Sequence, residues 1–95
     1  MNIDINIQIK KIIHDSSKII SKDAIKEIKH FYEHGEYEMA LEGLIIELMK
    51  SNVVPDNYNY TEWCELIQSI GLDEEPNFYG DFWVKFTEWG KGKDL

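Results

Sequence analysis

The chain has 95 residues, 43% of them apolar and 29% charged, and a formal charge of −8. That length supports one domain with a modest core, and the balance of apolar and charged residues excludes a disordered tail. The absence of Arg leaves no bidentate fork for anions, and Cys64, the only cysteine, excludes an intramolecular disulfide and fits a reducing compartment.

The charge is unevenly divided. Residues 1–30 carry six Lys against four acids (+2), residues 31–75 eleven acids against Lys50 alone (−10), and residues 76–95 three Lys against three acids (0). A middle segment with this field repels phosphates, so nucleic acid is not the expected partner, whereas a basic protein suits it. The opening Met-Asn-Ile-Asp lacks a basic n-region and an apolar h-region, and the longest plainly aliphatic run is Leu44 to Ile46. The expectation is a cytoplasmic protein with neither signal peptide nor membrane contact.

Residues 1–20 admit two readings: Ile3, Ile5, Ile7 and Ile9 alternate as in a strand, while Ile5, Ile9, Ile12 and Ile13 fit a helix face. No second convincing strand follows, and a lone strand leaves its backbone unsatisfied, so a helix is predicted. Ser21 is placed to cap a helix over 22–34, with Asp23 in its first turn and Ile20 and Ile25 spaced as a hydrophobic staple. Gly35 supplies a left-handed exit.

The next helix, 36–50, is the expected centre of the fold. Tyr37, Ala40, Leu41, Leu44, Ile45 and Leu48 share one helical face. Met39, Gly43 and Ile46 stack behind it, Glu38 and Glu42 take one flank, and Glu36 and Glu47 take the other. Two apolar stripes imply packing on both sides, with Gly43 admitting a close neighbour. A loop broken by Pro55 follows. Asn59 then caps a helix over 59–70, with Glu62 at the capping-box position, Tyr58 and Trp63 as a staple, and Gly71 with Leu72 as a Schellman exit. Asp73 to Pro76 form an acidic loop. Aromatics at helical spacing predict a last helix over 79–89, where Tyr79 or Trp83 is a candidate exposed anchor, and 90–95 read as a frayed tail. The fold class is all-α, a single small bundle of four or five helices.

His30-Phe31-Tyr32-Glu33-His34 matches the H-x-x-E-H pattern of zinc peptidases, in which two His share the metal and the Glu activates water. Catalytic zinc usually needs a third protein ligand, and the only other His is His14. A small metal-dependent hydrolase using His30, Glu33 and His34 is therefore the weakest reading, and no enzyme, cofactor or small-molecule substrate is expected. Gly35-x-Tyr37-x-x-Ala40 resembles a tetratricopeptide helix, but no 34-residue repeat follows, which leaves a helical adaptor as an alternative.

From Phe31 to Leu48 the chain resembles small bacterial toxin-immunity proteins, such as those encoded beside multiple-adhesin-family toxins and contact-dependent growth inhibition toxins. The shared pattern is an aromatic, an acidic-His-Gly-Glu-Tyr turn (Glu33 to Tyr37) and an Ala40-Leu41-Glu42 helix; the resemblance spans about residues 28–72. It implies a small α-helical protein that binds and neutralises one cognate toxin, often a nuclease. Within that reading the candidate toxin-binding residues are Glu38, Glu42, Asp56, Asp73, Glu74, Glu75 and Trp83, with Glu36 and Glu47 as second choices.

Overall fold

The computed structural model describes residues 4–74 and 81–93, which form five helices: α1 (Ile5–Ser16), α2 (Lys22–Glu33), α3 (Tyr37–Ser51), α4 (Tyr60–Ser69) and α5 (Phe82–Lys91). Among the described residues there is no strand, and no helix is long and apolar enough to cross a membrane. The all-α bundle predicted from the periodicities is the architecture observed.

Local chemistry fixes most helix ends. The Asp4 carboxylate accepts from Asn6 N at 2.9 Å, the Ser21 hydroxyl from Ala24 N at 3.1 Å, and the Asn59 side chain from Glu62 N at 2.9 Å. Each satisfies a donor that the first helical turn would leave open. Tyr58 and Trp63 meet edge to face at 4.7 Å between ring centroids, which is the predicted staple. Gly71 lies at φ 85°, and Leu72 N reaches the Ile67 carbonyl at 3.1 Å, so the predicted Schellman exit is formed and Leu72 is fully buried.

α3 packs against α1, α2 and α5, with α2 its most extensive neighbour, while α4 packs on α5. Ala40, Leu41, Leu44, Ile45 and Leu48 are all at 0% exposure, enclosed with Ile9 and Ile13, Ile25 and Ile28, Ile67, Phe82 and Phe86. Each of these Leu, Ile and Phe side chains contributes roughly 1.5–3 kcal/mol of transfer free energy. The second stripe of α3, Met39, Gly43 and Ile46, is half-buried: Gly43 faces Ile28, and Ile46 together with Met49 lines a groove shared with α5.

Three boundaries differ from those predicted by more than one residue, and one packing expectation fails. α1 ends at Ser16 rather than continuing to residue 20, because the Ser17 hydroxyl bonds back to the His14 carbonyl at 2.8 Å and the chain turns into the Ser21 cap. α5 begins at Phe82, not at residue 79, because Asp81 takes the left-handed conformation at φ 64°; positions 79 and 80 lie outside the described residues. It also runs on to Lys91, so Gly90 is a buried helical residue rather than the start of a frayed tail. Finally, a Cβ at Gly43 would meet Ile28 Cγ1 at 3.8 Å, an ordinary contact, so a glycine is not required there for close approach.

The segment 52–59 ties the bundle together. Trp89 Nε1 donates to the Asn52 side chain, Asn57 Nδ2 to Asp15 and the Tyr58 hydroxyl to the Gly90 carbonyl, each at 2.9 Å. Asn52 itself closes α3 in the left-handed region at φ 56°, a conformation Asn tolerates better than most residues. A short loop thus ties the start of α4 and the end of α5 to α1 and α3.

Candidate functional site

α1 and α4 face one another across a groove of about 470 Å³. Its floor is apolar, made by Ile5 and Ile12 from α1 and Trp63 and Leu66 from α4. The α1 wall carries Gln8, Lys11 and Asp15; the α4 wall carries Glu62, Glu65 and Ser69; Asn57 and Asn59 close one end. Trp63 and Leu66 are at 5% exposure, so the groove meets only the edge of the core.

The polar groups on the two walls differ in kind. Asp15 accepts from Asn57 Nδ2 at 2.9 Å and pairs with Lys11 Nζ at 3.2 Å. The Asn57 hydrogen bond, more than the adjacent Lys11, holds its carboxyl below the ordinary aspartate value, against the opposing effect of burial. Lys11 and Asp15 therefore neutralise one another. Glu62 and Glu65 are exposed, and neither has an ion-pair partner among the described residues. Three carboxylates and one lysine leave the groove at −2 (−3 and +1), with the excess on the α4 rim.

Of the predicted contact residues, Glu38, Asp56 and Glu74 are exposed, and Asp73 and Trp83 are half-buried. Glu75 lies outside the described residues. Glu42 is corrected: at 0% exposure it cannot be a surface contact. α3 is enclosed by three other helices, so a flank that a helical wheel leaves at the edge is covered. The remaining acids do not form one cluster. Glu38 lies in the first turn of α3 and Asp56 beyond its far end, about 20 Å of helix apart, and Asp56 and Asp73 flank opposite ends of α4. Trp83 packs at 6.4 Å from the buried Phe86 ring, so it serves the core as well as the surface. Of the second choices, Glu36 is exposed, while Glu47 pairs with Lys50 at 3.5 Å.

Glu62, Glu65 and Asn57 were not among the candidates. Glu62 carried a legible capping signal, and the spacing of Glu62 and Glu65 placed both on one side of a helix; what faces them was not local information.

His30 and His34 are both exposed with ring centroids 4.2 Å apart, and His34 Nδ1 lies 2.9 Å from the His30 carbonyl oxygen, which occupies one of its ring nitrogens. Among the described residues no group of three or more His, Cys, Asp or Glu is placed to hold a metal ion. Cys64 is half-buried; burial raises its thiol pKa, partly offset by a hydrogen bond with Tyr60, the opposite of an activated nucleophile.

Comparison with protein-family models, with curated proteins and with solved structures gives no match.

Proposed function

We propose that this protein binds and neutralises a cognate bacterial toxin domain, a basic nuclease, by laying an acidic surface against the toxin's active face. The observation that carries the reading is the state of the segment 31–75. It holds eleven acids and one lysine, and that lysine, Lys50, is already engaged by Glu47 at 3.5 Å. Its acids reach solvent at Glu33, Glu36 and Glu38 around the α2–α3 turn, at Asp56 in the following loop, at Glu62 and Glu65 on α4, and at Glu74 beyond it. The resemblance over residues 31–48 to toxin-immunity proteins supports the same reading.

The physical logic is complementarity. A nuclease must attract phosphate, so the entrance to its cleft is basic, and an acidic protein competes for the same field. Such pairs associate fast because the charges steer encounter, and the steering weakens as salt screens it. The apolar floor of the groove between α1 and α4 supplies what charge alone does not, a place for slow dissociation to be built.

The test is co-expression with the toxin domain encoded in the neighbouring reading frame. Growth protection and a stoichiometric complex are expected. A toxin that kills as efficiently with this protein present as without it, and fails to co-purify, overturns the reading.

A further inference from the structure

We infer that the groove between α1 and α4 is the docking site for a partner segment that presents a basic side chain beside an apolar one. This rests on the reading of the protein as a toxin-binding domain, and it names the surface and the chemistry of the segment that enters.

The argument starts from what the groove lacks. Its floor is made by Ile5, Ile12, Trp63 and Leu66, and its rim by Glu62 and Glu65, exposed and without an ion pair among the described residues. On the opposite wall the groove's one lysine, Lys11, already has a carboxylate partner in Asp15 at 3.2 Å, and Asp15 accepts in turn from Asn57 at 2.9 Å. An anion or a nucleic acid strand entering here meets a net charge of −2 and is repelled. A purely apolar segment would bury the two carboxylates without partners, which costs more than the floor returns.

A segment carrying Arg or Lys next to Leu, Ile or Phe satisfies both requirements. The apolar side chain covers the floor, while the long aliphatic stem of the basic residue lies along the α4 wall with its head group at the carboxylates. A guanidinium is the better match, because its planar donors can bridge Glu62 and Glu65, which are three residues apart and so on the same side of α4. A volume of about 470 Å³ holds a few side chains, not a folded element, so the occupant is a loop or a helix edge.

The experiment is an amide-shift titration of the full chain by NMR with acetyl-Arg-Leu-Leu-Arg-amide as the probe, and spermine as the charge-only comparison. The peptide should give saturable shifts at Ile12, Trp63 and Leu66, and the Glu62→Gln/Glu65→Gln variant should bind it about fivefold to tenfold more weakly, as two rim ion pairs allow. Asp23→Asn/Glu27→Gln, an equal loss of charge on α2, should leave the peptide affinity unchanged. Spermine matching the peptide in site and affinity, or peptide shifts that do not saturate or lie outside the groove, overturns the proposal. The cognate toxin domain then separates the two readings. A toxin that binds tightly and shifts only residues away from the groove overturns the docking site and leaves neutralisation standing. Absent toxin binding with the peptide result intact removes the toxin reading and keeps the groove.

Discussion

The Tyr58 hydroxyl donates to the Gly90 carbonyl at 2.9 Å, and the same oxygen would lie 2.6 Å from a Cβ built on Gly90. The two residues are 32 positions apart, so this contact closes the α3–α4 loop onto the last turn of α5. A side chain at residue 90 would force Tyr58 or Phe86 to shift, which favours glycine there despite its low helix propensity. The Phe86 ring stands 3.0 Å from the same Cβ position and is itself fully buried, so it has little room to withdraw.

Gly90→Ala should therefore destabilise the protein despite its gain in helix propensity. Overpacking costs roughly 1–3 kcal/mol and the propensity gain returns about 1 kcal/mol, so a net loss of about 1 kcal/mol is expected in denaturant melts. Tyr58→Phe removes the hydrogen bond and should cost about 1 kcal/mol by itself. It also removes the oxygen nearest the new methyl, so the double variant should lose less than the sum. Strict additivity would contradict the contact.

Gly43 makes the opposite case. A Cβ there meets Ile28 Cγ1 at 3.8 Å, with no crowding among the described residues. Gly43→Ala should be neutral or stabilise by up to about 1 kcal/mol, whereas Leu44→Ala, one position on and at 0% exposure, should cost about 2–5 kcal/mol. Thermal melts of the two variants check this directly. A loss in Gly43→Ala comparable to that in Leu44→Ala would mean that α3 is placed wrongly.

Local signals in the sequence carried most of the fold. Ser21, Asn59, Gly71 and the Tyr58–Trp63 pair act within a few residues of themselves, and each does what its spacing implies. The face of α3 was legible because its neighbours need only be apolar. Burial of Glu42 was not, because periodicity gives the direction of a side chain and not the number of helices around it. The groove was hidden for a related reason: it brings together Asp15 and Asn57, 42 positions apart, and no local pattern encodes that pairing. The acids were visible as a segment, but their separation by whole helix lengths became visible only in three dimensions.

Asp15 gives a pH prediction with a definite sign. Its folded pKa is depressed, chiefly by the Asn57 hydrogen bond and secondarily by Lys11, against the effect of burial. The ionised form is thus favoured in the folded state, so its stabilisation is complete above the unfolded value of about 3.9 and is lost as pH falls through the lower folded value. Asn57→Ala should move the Asp15 titration, followed by side-chain carboxyl shifts in NMR, upward toward the ordinary value. It should also narrow the difference in stability between neutral and acid pH. An unchanged Asp15 titration in that variant would contradict the assignment of the hydrogen bond as the main cause.

The most direct test of the central claim is the affinity of this protein for its cognate toxin domain measured across ionic strength, with wild type beside Glu36→Lys/Glu38→Lys/Glu74→Lys. These residues are exposed and belong to the segment of net charge −10. Reversing them should slow association by about tenfold or more at low salt, with a smaller effect on dissociation, and the difference should shrink as salt is raised. Tight binding that is independent of salt and equal in the variant would show that the acidity does not recognise the toxin.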